Sequence, residues 1–122
     1  MSHMRTAVLL ALLFLGNLAG RDLTLQDAGV LVENTPDALA AKGRGGCPKS
    51  DPADWGPHLA LVQLRNMCPT SGTGFIANDL VDLRTGTIWP DLDQETEITS
   101  AHLREVRKRL LRGRRRGSGH LP

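Results

Sequence analysis

The stretch SGTGFIAND, residues 71–79, places two glycines in a short polar loop, the feature on which phosphate-binding loops are built. Such a loop needs a lysine followed by Ser or Thr, and then a helix whose N-terminus faces the phosphates. Here the lysine is missing, and the glycines lead into an alternating apolar run that is typical of a strand. We therefore predict a bend that leads into a β-hairpin, with no bound phosphate and no cofactor.

Acidic residues alternate in the segment 91–97, where Asp91, Asp93 and Glu95 match the spacing of the first ligands of an EF-hand loop. Thr96 stands where that loop needs a glycine, and His102 stands where it needs a bidentate glutamate. We predict a solvated acidic turn, with calcium binding as the alternative, and we assign no metal ligand.

The sequence offers few residues for nucleophilic catalysis. Ser71 lies outside a G-x-S-x-G motif, and Cys68 is expected to be oxidised. Apart from His58 and His102, the folded body has no histidine to serve as a base. The histidines also lack the H-x-x-x-H and H-E-x-x-H spacings of zinc hydrolases. We assign no catalytic residue and predict a non-enzymatic protein, with a small hydrolase as a less favoured alternative.

Residues 5–20, RTAVLLALLFLGNLAG, have the order of a secretory signal peptide. A basic residue precedes an apolar run too short to span a bilayer, and small residues follow the run. We predict cleavage near Ala19 or Gly20 and a periplasmic or secreted protein. A buried N-terminal helix and an uncleaved anchor are the alternatives.

Cys47 and Cys68 are the two cysteines of the chain, and their spacing is not that of a C-x-x-C redox motif. In a small exported protein such a pair is more often a disulfide than a metal site. The disulfide would close a loop of about 20 residues, which the chain-entropy model values at about 3 kcal/mol.

Charge is distributed unevenly along the chain. Residues 21–101 hold six basic and twelve acidic side chains, whereas residues 102–122 hold eight basic and one acidic. This tail predicts a second mode of action, in which Arg112, Arg114, Arg115 and Arg116 reach outward and bind an anionic membrane surface. The alternative, which the charge pattern favours slightly, is a solvated tail without a function of its own. No nucleic acid is expected as a partner.

The positions of these residues depend on the elements around them. The predicted elements are helical pieces capped by Thr24 and Thr35, a loop over 43–57, strands over 58–67, 75–81 and 87–89, and a helix capped by Thr99. The two helical pieces have one kinked helix as their alternative. Trp55 is interpreted as a lid over the core, or else as an exposed binding residue.

The stretch LVDLRTGTIW, residues 80–89, predicts a strand, a turn and a short strand, with Asp82, Thr85 and Gly86 in the turn. This stretch is similar to the hairpin of PepSY-type domains, and DLTLQDAGVLVENTPDAL, residues 22–39, resembles their helix. Val81, Asp82, Thr85, Gly86 and Ile88 match the hairpin pattern. The resemblance implies a non-catalytic exported module that binds or inhibits an envelope protein such as a protease, and it carries over no catalytic residue.

These observations predict a signal peptide over 1–20, one α+β domain over 21–112 and a disordered basic tail over 113–122. The domain is expected to be a small antiparallel sheet of about three strands, covered by an N-terminal and a C-terminal helix. Its function is expected to be binding of a protein in the envelope or outside the cell, by strand addition to a sheet edge. Arg84, Trp89 and Trp55 are the candidate partner contacts. The alternatives are that Trp89 lies in the core and that Arg84 is a solvated turn residue.

Overall fold

The computed structural model describes residues 21–69 and 72–119, which form three helices and one antiparallel sheet of four strands. The elements are α1 (Leu25–Val32), α2 (Pro36–Gly43), β1 (Pro48–Asp54), β2 (Leu59–Cys68), β3 (Gly72–Asp82), β4 (Ile88–Pro90) and α3 (Ala101–Gly119). The predicted α+β class is confirmed, with four strands where about three were predicted. The predicted signal peptide, residues 1–20, lies outside the described residues.

The strands pair in chain order, β1-β2-β3-β4. Successive residues of an inner strand form backbone hydrogen bonds to the strand on one side and then to the strand on the other. The N–H of Trp55 donates to the C=O of Leu59, and the N–H of Met67 donates to the C=O of Cys47. Odd-numbered residues of β2 therefore bond to the β1 side, and even-numbered residues bond to β3. A β-bulge at Leu64 and Arg65 shifts the register between β2 and β3 by one residue.

One face of the sheet packs against all three helices and forms the core. The sheet residues of this core are Ala60, Val62, Leu64, Val81 and Ile88, and the helix residues are Ala28, Leu31, Val32, Ala38, Leu103 and Val106. The opposite face of the sheet contributes nothing to this cluster. We call it the outer face.

Local hydrogen bonds fix where the first two helices begin. The hydroxyl of Thr24 accepts from the N–H of Asp27, and the Asp27 carboxylate accepts from the N–H of Thr24, which completes the predicted capping box. The hydroxyl of Thr35 accepts from the N–H of Ala38 at the start of α2. The two pieces are separate helices and not one kinked helix.

The last helix departs from its prediction at both ends. Ser100, and not Thr99, caps α3, because its hydroxyl accepts from the N–H of Leu103 at 3.0 Å. The tail is predicted to be disordered from residue 113, whereas the structure describes α3 as far as Gly119. In this part of the helix Arg114 forms an ion pair with Asp27 of α1, with 2.8 Å between nitrogen and oxygen.

The predicted loop over 43–57 is also corrected, because its residues 48–54 form the edge strand β1. Its proline, glycine and aspartate content favours a loop, but an edge strand tolerates proline. The predicted disulfide between Cys47 and Cys68 is present, with 5.1 Å between the Cα atoms, and it ties the start of β1 to the end of β2. Within the two described ranges, no helix has both the length and the apolar composition that a membrane crossing requires.

Candidate functional site

The sheet has two outer strands, and the edge of β1 is poor in hydrogen-bond donors. The backbone N–H and C=O groups of the even-numbered β1 residues point away from β2, because those of the odd-numbered residues bond to β2. Pro48 and Pro52 occupy two of these outward positions and have no N–H. Ser50 and Asp54 are left as outward donors, so this edge is protected against pairing with another strand.

The edge of β4 is covered by the chain itself. The strand has three residues, and the N–H of Ile98 donates to the C=O of Ile88 at 2.8 Å. The segment before α3 therefore occupies the position that an added strand would take.

A third edge stays open along the first half of β3. The strand β4 pairs with Leu80 and Val81, and the N–H of Asp91 reaches the C=O of Asn78 at 2.6 Å. Over residues 74–77, no described residue outside β2 forms a backbone hydrogen bond with β3. Gly74 bonds to Asn66 of β2, so the N–H and C=O of Phe75 point toward the open side.

Phe75 lies between two clefts that separate this open edge from α2. Its side chain is 62% exposed, although phenylalanine is usually buried. One cleft, of about 330 Å³, is lined by Arg44, Gly46, Asn66 and Phe75 among others. We call it the Arg44 cleft.

The second cleft, of about 260 Å³, lies between the start of α2, β3 and the segment after β4. Its lining residues include Phe75, Asp37, Asn78, Asp79 and Asp91. We call it the acidic cleft, because three of these residues are aspartates and no basic residue lines it.

Asp79 is the unusual residue of the acidic cleft. It is 3% exposed, and in the described part of the chain no group donates a hydrogen bond to its carboxylate. Burial, together with the charges of Asp37 and Asp91, raises the pKa of Asp79 to about 6. A buried carboxyl with a raised pKa in a cleft is a frequent mark of a functional site.

The predicted turn residues lie together between β3 and β4. The backbone of Asp82 bonds to the N–H of Gly86 and to the C=O of Thr87, and Gly86 has a φ of +75°. The Arg84 guanidinium lies 3.2 Å from the Asp82 carboxylate. Burial alone would raise the pKa of Asp82, but the hydrogen bonds from Arg84 hold it below its ordinary value. Arg84 and Asp82 therefore stabilise the turn.

The two tryptophans lie apart from the core cluster. Trp55 is 49% exposed in the turn between β1 and β2, so the interpretation as a lid over the core is corrected. Trp89 is half-buried on the outer face, opposite Leu80, and Leu61 pairs with Leu80 on its other side. This apolar row shields Leu80, which is 3% exposed.

The arginines predicted to bind an anionic surface do not all reach outward. Arg112 is exposed, but the Arg114 guanidinium also bonds to the hydroxyl of Thr24, besides its ion pair with Asp27. Although burial by itself raises the pKa of Asp27, hydrogen bonds from Thr24 and Arg114 lower it. The side chains of Arg115 and Arg116 lie outside the described residues.

The acidic segment before α3 is exposed at Asp91, Asp93 and Glu95. Asp93 accepts a hydrogen bond from the N–H of Glu95 at 2.9 Å, as in a solvated turn. No three His, Cys, Asp or Glu side chains of the described ranges are grouped so that they could hold a metal ion.

The two histidines of the body contact side chains of other elements. The Nδ1 atom of His58 lies 2.6 Å from the Asp22 carboxylate, and the Nε2 atom of His102 lies 2.8 Å from the side-chain oxygen of Asn34. Ser71 lies outside the described residues, and Cys68 is in the disulfide.

The open edge and the acidic cleft were not predicted from the sequence. Asp79 had a local signal, because strand alternation places it on the same side of β3 as Ala77 and Val81, a side that is otherwise apolar. Asp37 and Phe75 had no such local signal, since the packing of α2 against β3 brings them to the cleft.

Comparison of the chain with protein-family models, with curated proteins and with solved structures gives no match.

Proposed function

We propose that this chain is a small exported, non-catalytic module that binds, or inhibits, a protein of the cell envelope or the extracellular space. An extended segment of that partner adds as a strand to the open edge of β3. The open edge over residues 74–77 is the observation that carries the proposal. The disulfide supports the oxidising compartment, since such bonds persist outside the cytosol.

The clefts beside the edge explain how this mode of binding could select a partner. In strand addition, main-chain hydrogen bonds supply affinity, and pockets for alternate side chains supply specificity. The Arg44 cleft and the acidic cleft both lie beside the open edge and share Phe75. In the described part of the chain, prolines obstruct the edge of β1 and Ile98 covers the edge of β4, which favours the open edge of β3 for a partner strand.

Site-specific photo-cross-linking in the exporting cell tests the proposal. A photoreactive phenylalanine analogue at position 75 should form a cross-link to a partner protein, because this position adjoins the open edge. The same analogue at Ala53, an exposed residue of the proline-protected strand β1, is the matched control. Equal cross-linking from both positions, or none from position 75, would contradict the proposal.

A pair of substitutions at Phe75 separates the backbone contribution from the ring contribution. Phe75→Pro removes the outward N–H, whereas Phe75→Ala removes the ring and keeps that N–H. We expect the proline variant to lose the partner and the alanine variant to retain part of the binding. Circular dichroism of both variants should show an intact fold, because an edge strand tolerates a proline whose nitrogen faces outward.

The second candidate function is binding to an anionic membrane surface through α3. It is favoured by the exposed basic side chains Arg104, Lys108, Arg109 and Arg112 on one helix. Co-sedimentation with anionic phospholipid vesicles at low and high salt tests it. Arg109→Gln with Arg112→Gln should reduce sedimentation at low salt, whereas Arg114→Gln, at the residue that pairs with Asp27, should reduce it less. Equal sedimentation of all three proteins would reject this function.

A further inference from the structure

Asp79 is an acidic side chain for which the described part of the fold supplies neither a hydrogen-bond donor nor a counter-ion. It pairs with Val62 in the register of β3 and β2 and is 3% exposed. Burial of a carboxylate without a hydrogen bond or a counter-ion opposes folding. No described side chain or backbone group supplies either, and the Asp37 and Asp91 charges add repulsion. The cleft therefore favours a cation from outside the chain.

The chemistry of the cleft distinguishes between kinds of cation. No group of three potential ligands in the described ranges is arranged to hold a metal ion. A lysine ammonium or an arginine guanidinium is larger and brings several hydrogen-bond donors of its own. Such a group can bond to aspartates that are too dispersed to coordinate one small ion.

The neighbours of the cleft indicate how the cation is delivered. The exposed ring of Phe75 lines the cleft and lies in the open part of β3. Long basic side chains lay their methylene stems along apolar surfaces and place their charge at the far end. A strand paired with residues 74–77 directs alternate side chains toward the cleft side of the sheet.

We propose that the acidic cleft binds a lysine or arginine side chain of the partner segment that adds to β3. The inference rests on the proposed function, because that segment supplies the side chain. Asp79, Asp37 and Asp91 bind the cationic group, and Phe75 contacts its stem.

Binding should depend on pH, since it requires an ionised Asp79. The groups that face Asp79 are Asp37 from α2, Asp91 from the segment after β4 and the apolar Val62 from β2. The pKa of Asp79 is raised to about 6, so protonation below that pH removes a charge from the cleft. A bound cation favours the ionised form and lowers this pKa. Affinity should therefore rise as the pH increases from about 5 to about 7.

The test uses N-acetyl-lysine amide as the probe and N-acetyl-norleucine amide as its neutral control. The carboxyl carbon resonance of Asp79 in the exported protein is followed by NMR during each titration. We expect the lysine probe, and not the norleucine probe, to lower the midpoint pH of that resonance. Asp79→Asn should weaken binding of the lysine probe about tenfold, measured on the resonances of Ala77 and Asn78.

Two neighbouring aspartates provide a matched pair of variants. Asp91 lines the cleft, whereas Asp93, two residues further, is exposed and does not line it. Asp91→Asn should weaken the lysine probe, and asparagine tolerates the positive φ of 53° at this position. Asp93→Asn should leave binding unchanged. Equal weakening by both variants would overturn the inference in favour of a diffuse negative potential.

The remaining outcomes distinguish a partner segment from a free diamine as the source of the cation. They also distinguish failure of this inference from failure of the proposed function. If 1,5-diaminopentane binds more tightly than a lysine-containing extended peptide, a free diamine is the ligand and the partner segment is rejected. If the lysine and norleucine probes bind equally, the inference fails, while cross-linking from position 75 decides the proposed function on its own. Cleft binding of the probe without any cross-link would instead reject strand addition.

Discussion

Both the backbone conformation and the packing of Gly86 oppose a side chain at this position. Its φ of +75° lies in the left-handed region, and a β-carbon would lie 2.9 Å from Cγ of Arg107. The Arg107 side chain stays close because its Nε donates to the C=O of Gly86 at 3.0 Å. This contact connects the turn between β3 and β4 to α3.

Gly86→Val should destabilise the protein by about 2 kcal/mol or more, because a β-branched residue resists positive φ and displaces Arg107. The midpoint of urea denaturation measures the loss. Gly43→Ala is the control, since a β-carbon there meets no atom within 4 Å and φ is not positive. An unchanged midpoint for Gly86→Val would show that the turn has another conformation.

Asp79 is the second residue whose environment has a measurable consequence. Its folded pKa of about 6 lies above the ordinary value of 3.8. Between these two values the folded protein holds a proton that the unfolded chain has lost, so protonation stabilises the fold. The contribution is complete below the unfolded pKa, and it is lost as the pH rises through about 6.

Asp79→Asn should therefore stabilise the unliganded protein at about pH 7.5 by roughly 1 to 3 kcal/mol, because the charge is removed. At about pH 4.5 the difference should shrink, since wild-type Asp79 is then largely protonated. Thermal unfolding at the two pH values measures both effects. Asp93→Asn should shift neither melting temperature, and a destabilised Asp79→Asn at the higher pH would contradict the expected burial of the charge.

At the scale of elements, α3 is positioned by what it touches and not by its composition alone. Leu103 and Val106 enter the core, Arg107 forms an ion pair with Glu97, and Arg114 contacts the capping box of α1. The contact with Asp27 connects the basic end of α3 to the acidic first turn of α1. That acidic turn also interacts favourably with the positive N-terminal end of the α1 dipole.

Arg114→Gln should lower stability by about 1 kcal/mol near neutral pH, because it leaves the half-buried Asp27 carboxylate with weaker partners. The pKa of Asp27 is lowered in the fold, so its contribution is present above pH 3.8 and is lost as the pH falls further. The effect of Arg114→Gln should accordingly vanish in strong acid. Arg112→Gln, at an exposed residue of the same helix, should change stability little at any pH; a loss equal to that of Arg114→Gln would contradict the docking of α3 on α1.

At the scale of the whole molecule, one cross-link joins the parts that form the Arg44 cleft. The disulfide fixes the chain just after Gly46 to the end of β2, and the sulfur of Cys68 lies 3.5 Å from the C=O of Gly45. The bond spans 21 residues of sequence and holds the edge strand β1 in its register. The core is small, so this constraint is a large part of the net stability.

Replacing both Cys47 and Cys68 by alanine should cost about 3 kcal/mol of unfolding free energy, following the loop-closure model. Thermal unfolding with and without a reductant measures this cost, and the reductant should change only the wild-type protein. Thiol titration of the denatured, unreduced protein should find no free thiol. Two free thiols, or a reductant-sensitive alanine variant, would contradict a structural disulfide in this protein.

Local chemistry in the sequence determined the helix starts at Thr24 and Thr35, the left-handed glycine at position 86 and the pairing of the two cysteines. The helix starts and the glycine turn depend on residues close in sequence, and two cysteines allow a single intramolecular pairing. The sequence pattern alone therefore decides these features. The tertiary structure decided that the proline-rich segment before Trp55 is an edge strand, and that α3 continues beyond residue 113. It also decided that the edge of β3 stays open and that Asp79 is buried beside Asp37. These features depend on which distant segments pack together, and periodicity within one segment carries no information about its distant neighbours.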